Sequence, residues 1–342
     1  MKKVISVVVV ILLLVTAVGC SSNKSSDQGS SSSSGSDKKP LIALSQGESG
    51  NSWRTTNTKD IEAWAKKSGY DFIWTDGNND AAKQLSDIQA LIAKKPDLLI
   101  IAPLQTDAIS PAYQMVTQAK IPMITIDRTL NVPPDGKYYK AMIVQDFVSV
   151  GTYGAERAVQ MLTDKYGEPK GNILEITGTI GASPSTDQQK GIRDVLAKYP
   201  NIKIVGSESG NYNRATGRAV MDDFLNKFPA GSVDLLLDYD DDSALGALQA
   251  MRDAGRTDLM GKIISKDGLV TALKEVVDGN IDTIYQCPPY FGEVTMDLIG
   301  KILNNQPYDT VINVPYKTFD MRDNKKMTED YYKYLVDNGL DY

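Results

Sequence analysis

From Leu41 onward the chain alternates short apolar runs with longer stretches whose apolar positions recur at helical spacing. The runs LIALS (41–45), DFIW (71–74), DLLIIA (97–102), MITI (123–126) and AMIV (141–144) predict strands, being short and rich in β-branched residues. After a helical stretch at 149–166 the series resumes with NILEI (172–176), IKIVGS (202–207), VDLLLD (233–238), KIIS (262–265) and IDTIY (281–285). Between them, segments at 54–68, 81–95, 186–198, 214–227, 242–254 and 289–304 carry the helix period. Strands alternating with helices of roughly 10–15 residues predict parallel sheets covered on both faces. About five such units precede residue 145 and about five follow it. The expected fold class is α/β, with two doubly wound parallel-sheet domains.

The first 40 residues do not share this pattern. Met1, Lys2 and Lys3 form a positive head, residues 4–18 carry no charge, and Gly19-Cys20 follows. A basic head before a short apolar stretch predicts a secretory signal at 1–19, too brief to span a membrane comfortably. The ending Ala17-Val18-Gly19-Cys20 resembles a bacterial lipobox, although Ala stands where Leu is usual. The resemblance implies a lipidated, N-terminal Cys20. Residues 21–38 contain ten serines, two glycines and no large apolar side chain, so 20–40 is expected to be a lipidated tether. The body is then expected on the outer side of the cell membrane, held by its lipid.

Composition removes several classes of function. The 342 residues include no histidine, which excludes a Ser-His-Asp triad, a Cys-His pair and imidazole metal ligands. Two cysteines cannot build a four-cysteine zinc site, and once Cys20 is lipidated Cys287 is expected to be buried and unpaired. A net charge of -6 argues against nucleic-acid binding, which needs clustered Lys and Arg.

In doubly wound sheets ligands sit beyond the carboxyl ends of the strands. Polar side chains recur at nearly every expected strand exit: Ser45-Gln46, Asp76, Asp127-Arg128, Thr177-Gly178, Asn211-Tyr212, Asp240-Asp241-Asp242, Asp267 and Gln286. With Trp53 and Tyr212 they suit a polyhydroxylated ligand. Carboxylates and guanidinium groups engage paired hydroxyls, and aromatic faces cover the C–H surface of a sugar ring. Asp127-Arg128 follows a strand that reads as buried, which favours ligand contact over a surface ion pair. Trp53 can equally fill the core below the first helix, and Asp267 can equally cap a helix.

Three other signals point to chemistry and fall short. The run Asp238, Asp240, Asp241, Asp242 lacks the spacing and distal Glu of a calcium loop; helix capping by one Asp and sugar contact by another explain it better. GTIGAS (178–183) fits neither G-x-G-x-x-G nor the P-loop. Nothing singles out an acid and a base for glycoside hydrolysis. No catalytic residue, metal or cofactor is expected.

The stretches SQGESGNSWR (45–54), IAPLQTDA (101–108), IPMITIDR (121–128), GTIGASPSTDQQKG (178–191), SGNYNRATG (209–217), DYDDDSALGALQAM (238–251), KDG (266–268) and YQCP (285–288) together resemble the type I periplasmic binding proteins of ABC transporters. The likeness is to the ribose- and galactofuranose-binding group and covers about residues 41–320. SQGESGNSWR, and GTIGAS followed by an Asp, look closer to the galactofuranose-binding proteins.

The resemblance implies that Asn51, Trp53 and Arg54 line a pocket, that Asp127 and Arg128 bind ring hydroxyls, and that Tyr212 stacks on the sugar. Asp240, Asp267 and Gln286 complete the ring of polar contacts. Asp240 stands where relatives usually have Asn, and Gln188 where they usually have a ligand-reaching Arg. Together these replacements would make the pocket more negative by two charges. It further implies three chain crossings, near 143, 267–287 and 320, which form a three-strand hinge. Residues 41–143 with 287–320 would make the N-terminal domain, and 144–286 with 321–342 the C-terminal one.

The implied function is capture of a monosaccharide, galactofuranose-like or a related hexose or pentose, by a monomer whose hinge closes over it. Delivery would be to a membrane permease with a cytoplasmic ATPase. Alternatives are a receptor subunit for a membrane kinase and, at a distance, a sugar-processing enzyme. Repressors that share this core need an N-terminal DNA-binding helix pair, and the signal and serine tether occupy that place.

Overall fold

The computed structural model describes residues 38–342. The expected signal at 1–19, Cys20 and nearly all of the tether lie outside the described residues.

The first half alternates β1 (Leu41–Gln46), α1 (Ser52–Lys67), β2 (Asp71–Asp76), α2 (Ala81–Ala93), β3 (Leu98–Ala102), the short α3 (Thr106–Ile109), α4 (Pro111–Ala119), β4 (Met123–Ile126) and β5 (Tyr139–Val144). The second continues with α5 (Phe147–Tyr166), β6 (Gly171–Thr177), α6 (Ser183–Leu196), β7 (Ile202–Ser209), α7 (Arg214–Lys227), β8 (Leu235–Asp238), α8 (Asp241–Asp253), β9 (Ile263–Asp267), α9 (Val270–Val277) and β10 (Thr283–Gln286). The chain ends with α10 (Gly292–Leu303), β11 (Val311–Asn313), β12 (Thr318–Asp320) and α11 (Lys325–Asn338). Two six-stranded sheets result, ordered β11-β5-β4-β3-β1-β2 and β12-β10-β9-β8-β6-β7. All pairings are parallel except β10 with β12.

Central strands are apolar on both faces because helices cover both. Every residue of β3, β4, β8, β9 and β10 is buried, whereas the edge strand β2 is partly open to solvent. Several helices begin where a polar residue caps them directly after a strand. Asn51, Asp80, Asn213 and Asp240 each accept hydrogen bonds from the first backbone N–H groups of α1, α2, α7 and α8. In both sheets the strand order reverses beside the first strand, so the crevices at β1/β3 and β6/β8 face a ligand site.

The chain passes between the sheets at 144–147, 286–292 and 313–318. Backbone and side chain tie these passages together. Val314 N–H donates to the Val144 carbonyl (2.8 Å), Gln145 Nε2 to the Gln286 carbonyl (2.7 Å), and Gln286 N–H to the Lys317 carbonyl (2.8 Å). The third passage differs from expectation. Residues 318–320 form β12 and pair with β10, so they belong to the second sheet and not to the N-terminal unit expected to run to 320. Strands of three residues carry too little pattern to be read from sequence, and β11 and β12 were both missed.

Two helix pairs cross at glycine. A Cβ on Gly191 of α6 would lie 2.1 Å from the Val148 carbonyl oxygen of α5, and one on Gly246 of α8 would lie 2.1 Å from the Arg214 carbonyl oxygen of α7. Gly191→Ala must therefore push backbone apart. It is expected to destabilise by about 1–3 kcal/mol or more, seen as a lower urea midpoint, while Gly50→Ala, with open space around its Cβ, leaves the midpoint unchanged.

Candidate functional site

A cavity opens between the carboxyl ends of the two sheets. From the first sheet it takes Asn51, Trp53 and Arg54 at the start of α1, and Asp127 and Arg128 after β4. From the second it takes Pro184 in the first turn of α6, Tyr212 after β7, Asp240 and Asp242 around the start of α8, and Lys266 and Asp267 at the end of β9.

Eight of the ten residues expected at the site line this cavity; Gln188 and Gln286 do not. Gln286 lies in the crossing between sheets, where Nε2 donates to the Tyr331 hydroxyl (2.9 Å) and the backbone holds the neighbouring passages. Gln188 is buried in α6, whose backbone at this position meets Gly151 of α5. The positive charge expected to be lost at Gln188 is therefore not lost from the lining of this cavity, while the negative charge expected at Asp240 is there. Lys266, which the sequence reading passed over, adds a positive charge. Its signal was a lysine in a short strand between buried sheet neighbours, IISKD.

The first-sheet wall is a closed set of ion pairs. Arg54 Nη2 donates to Asp127 Oδ2 and Arg128 Nη2 to Glu48 Oε1, while Arg54 Nε lies 3.8 Å from Glu48 and Arg128 Nε 3.7 Å from Asp127. All four residues are at most 5% exposed. Glu48 thus belongs to the site's electrostatics although it was not assigned there. Burial alone would lower the Arg128 pKa, and Glu48 and Asp127 outweigh it, so it rises. Arg54 lies 4.8 Å over the Trp53 ring, whose Nε1 donates to the Cys287 carbonyl (2.6 Å) and whose face meets Phe291 edge-on. Trp53 therefore fills the core and lines the cavity at once. Cys287 itself is buried and unpaired.

The opposite wall is less well neutralised. Asp240 Oδ1 caps α8 through Ser243 N–H (2.8 Å), and its Oδ2 has no partner. One residue therefore does both the capping and the cavity-lining that the sequence divided between two. Asp241 accepts from Ser265 Oγ and from the N–H groups of Gly268 and Leu269, fixing the turn after β9, and Asp242 pairs with Arg214 at 2.8 Å. Asp267 pairs with Lys266 at 2.7 Å and caps no helix, since Leu269 occupies the cap position of α9. Lys266 also lies 5.5 Å over the Tyr212 ring, and Arg128 5.6 Å over it from the other sheet.

Backbone geometry fixes three of these side chains. Asp127, Tyr212 and Asp267 have φ of 60°, 51° and 130°. Non-glycine residues rarely adopt such values, and strained positions of this kind cluster at functional sites. Gly178 permits the Tyr212 arrangement, since a Cβ there would fall 1.9 Å from the ring.

Burial raises the Asp240 carboxyl well above the ordinary range, helped by Asp267, Asp238 and Asp242, and raises Asp238 to about 8. Burial also raises Asp267, to about 6, against the pull of Lys266. A raised folded pKa means that the folded state binds more protons than the unfolded one between the two values. Stability conferred by these protons is therefore full at low pH and is lost as pH rises through the folded values. Asp240→Asn keeps the cap and removes the ionisation. In ligand-free protein it is expected to raise stability by about 1–3 kcal/mol at pH 7.5, with the gain vanishing near pH 4 in calorimetric melts; an unchanged melt at pH 7.5 would show that the crowding costs nothing.

The periplasmic binding protein domain family matches residues 42–307. The chain is 30% identical over 230 residues to the xylitol-binding protein of Mycolicibacterium smegmatis, covering 67% of this chain and 62% of that protein, a little under two thirds of its length. It is 28% identical over 265 residues to the galactofuranose-binding protein of Escherichia coli K12, covering 76% and 81% of the two chains. Among solved structures, the binding component of the arabinose ABC transporter of Shewanella sp. ANA-3, bound to α- and β-L-arabinofuranose, superposes with a TM-score of 0.78 at 30% identity, over 87% of this chain and 96% of that one. Two doubly wound sheets, a cavity walled by both, and a family match across most of the described residues agree: the chain belongs to the periplasmic binding protein family, in its sugar-binding group, and is a binding protein, not an enzyme.

Proposed function

We propose that this protein captures a neutral monosaccharide, a hexose or pentose of the galactofuranose or arabinofuranose kind, and delivers it to an ABC permease in the membrane. One observation carries the reading. Four residues lining the cavity each keep a buried polar atom with no partner among the described residues: Arg54 Nη1, Arg128 Nε, Tyr212 Oη and Asp240 Oδ2. Buried polar groups are ordinarily satisfied, and this set offers donors from one wall and an acceptor from the other. A ring of hydroxyls satisfies both kinds at once. The ligands named for the relatives, xylitol as an open chain and galactofuranose and arabinofuranose as rings, all carry several hydroxyls.

Neutral cargo follows from the charges. The two guanidinium groups already hold carboxylates and Lys266 already holds Asp267, which leaves no cation of the cavity free for an acid sugar. Asn51, Trp53 and Arg54 would grip the ring from one side with Asp127 and Arg128, and Tyr212, Asp240, Lys266 and Asp267 from the other. A ligand held by both walls favours the closed arrangement over the open one by its differential contacts alone. The closed arrangement would be what the permease binds.

We further assign Cys20 as the lipidated anchor that holds the protein outside the membrane; among the described residues no helix is long and apolar enough to cross one. Cys20→Ser is expected to release the protein from washed membranes into the medium, and retention would sink the anchor.

The ligand is found by thermal shift of residues 39–342 against pentoses, hexoses, their furanose forms and sugar acids. At a hundredfold excess over Kd a neutral sugar should add about 2.7 kcal/mol. A response from sugar acids alone would overturn the neutral-cargo reading. Tyr212→Phe removes one unpartnered hydroxyl, so the ligand-free protein should melt no lower, while affinity for the responding sugar falls about tenfold.

A further inference from the structure

Tyr342 is 2% exposed, and its ring packs into the apolar core. After α11 the chain turns at Gly339 (φ 61°) and lies against the start of α9, where Val270 N–H donates to the Asp341 carbonyl (2.7 Å). Since α9 connects β9 and β10 of the second sheet, Tyr342 is carried by the second half. Its hydroxyl nevertheless lies 2.8 Å from Ser52 Oγ, at the first residue of α1 in the other half. Ser52 in turn donates to Asp242 Oδ2 (2.7 Å) in the first turn of α8. A serine hydroxyl has one proton to give. Ser52 gives it to the carboxylate, so Tyr342 is the donor of the other bond. The relay runs from the second half to the first and back.

Packing does not require it. A phenylalanine would fill the same space, and the hydroxyl adds only a directed bond. Burial, with Asp267, Asp242 and Asp241 nearby, pushes the Tyr342 phenol up, so it keeps the proton that the relay uses. Asp242 is committed as well, with Oδ2 on Ser52 and Oδ1 on Arg214 Nη2 (2.8 Å). It lines the sugar cavity with both oxygens taken, whereas Asp240 keeps a buried Oδ2 free. Ser52 stands between Asn51 and Trp53, which line the cavity, but does not line it itself. The relay therefore holds the segment that grips the ligand without reaching the ligand.

We propose that Tyr342, Ser52 and Asp242 are positioning residues: their relay clasps the start of α1 to the second wall, and so sets the angle at which the walls meet and the affinity of the site. The affinity part rests on the sugar-binding reading above; the clasp does not. Hydrogen bonds in series strengthen one another. They hold the halves together where the Asp127 and Asp267 carboxyls oppose each other across the cavity.

The test reads both the distance between the halves and the affinity for sugars in residues 39–342, which hold every described strand and helix. Spin labels enter at one exposed position of each half, through Lys94→Cys and Lys227→Cys; Cys287 is buried and stays unlabelled. In ligand-free protein, Tyr342→Phe and Ser52→Ala are expected to move part of the distance distribution to longer values. Ser52→Thr should restore it, and Tyr342→Phe/Ser52→Ala should go no further than Ser52→Ala alone. Every sugar that binds the wild type should bind Tyr342→Phe about three- to tenfold more weakly, by one common factor, because the clasp does not read the ligand. Distances that match the wild type in both single variants would overturn the clasp, and a lowered melt beside them would make the contact structural only. Losses that differ between sugars would overturn the positioning role and make the Tyr342 hydroxyl a ligand contact. Silence of the wild type toward every sugar would sink the sugar reading, and the clasp is then decided by the distances alone.

Discussion

The site depends on two arginines and two carboxylates held together out of water. Arg54, Arg128, Asp127 and Glu48 are all nearly fully buried, and each is within ion-pair distance of two of the others. Dehydrating such ions costs several kcal/mol apiece, and apolar residues of the same shape are often no less stable. Stability alone therefore does not account for them. Their arrangement makes sense as a way of presenting N–H groups in fixed directions. Once Asp127 and Glu48 have taken one edge of each guanidinium, Arg54 Nη1 and Arg128 Nε are what remain. The carboxylates neutralise the charge, and the spare donors read a neutral ligand by hydrogen bonding. The same constraint makes Asp127 a poor site for a clean binding mutant, since its loss would strand two buried cations.

The second wall has the opposite character, and the difference bears on closure. Asp238, Asp240 and Asp241 are buried with few cations near them, and Lys266 is committed to Asp267. The Asp267 carboxyl also feels Asp127 from the other sheet. Bringing the walls together without a ligand thus sets anion against anion across the cavity. Direct bonds between the walls are few and mostly peripheral: Ser52 to Asp242 (2.7 Å), Thr106 N–H to the Gly181 carbonyl, Gln105 to the Ile180 carbonyl and Thr129 N–H to Ser183 Oγ (2.9 Å each), with a long one at the cavity from Asn51 Nδ2 to the Tyr212 carbonyl (3.4 Å). These can align the two halves, and GTIGAS is the segment that supplies most of them, which gives that glycine-rich loop a role unrelated to phosphate. They leave the central contacts to whatever fills the cavity.

Much of this could be read from the sequence because parallel α/β sheets write their sites at strand exits. Knowing where β4, β7, β8 and β9 end was enough to nominate Asp127, Arg128, Tyr212, Asp240 and Asp267, whereas Asn51 came from resemblance to relatives. The period could not say which side of the exit faces the cavity and which faces the hinge. Gln286 follows a strand as Asp267 does, yet β10 is the strand from which the chain leaves for the other half, so its exit residue serves the crossing. Gln188 came only from resemblance to relatives. Lys266 and Glu48 were hidden for a physical reason: both lie in segments whose neighbours dominate the pattern, and their importance is a matter of which charges meet in space. The three-residue strands β11 and β12 owe their existence to neighbours far away in sequence, and no local signal marks them.

The left-handed turns at Asp127, Tyr212 and Asp267 explain how so polar a cavity keeps its shape. An exposed loop would let these side chains swing toward solvent, satisfy themselves and lose their aim. Each is instead pinned where the backbone cannot relax cheaply. Asp127 N–H is held by the Ile143 carbonyl, and the Asp267 carbonyl accepts from Cys287 N–H at the crossing between sheets. Crossing and site are thus joined through the same residue. Cys287, in the 286–292 passage, donates its N–H to the Asp267 carbonyl and accepts from the Trp53 indole at its own carbonyl. The chain crossing and both cavity walls are therefore tied together at Cys287, a buried thiol whose contribution lies in its backbone and not in its sulfur.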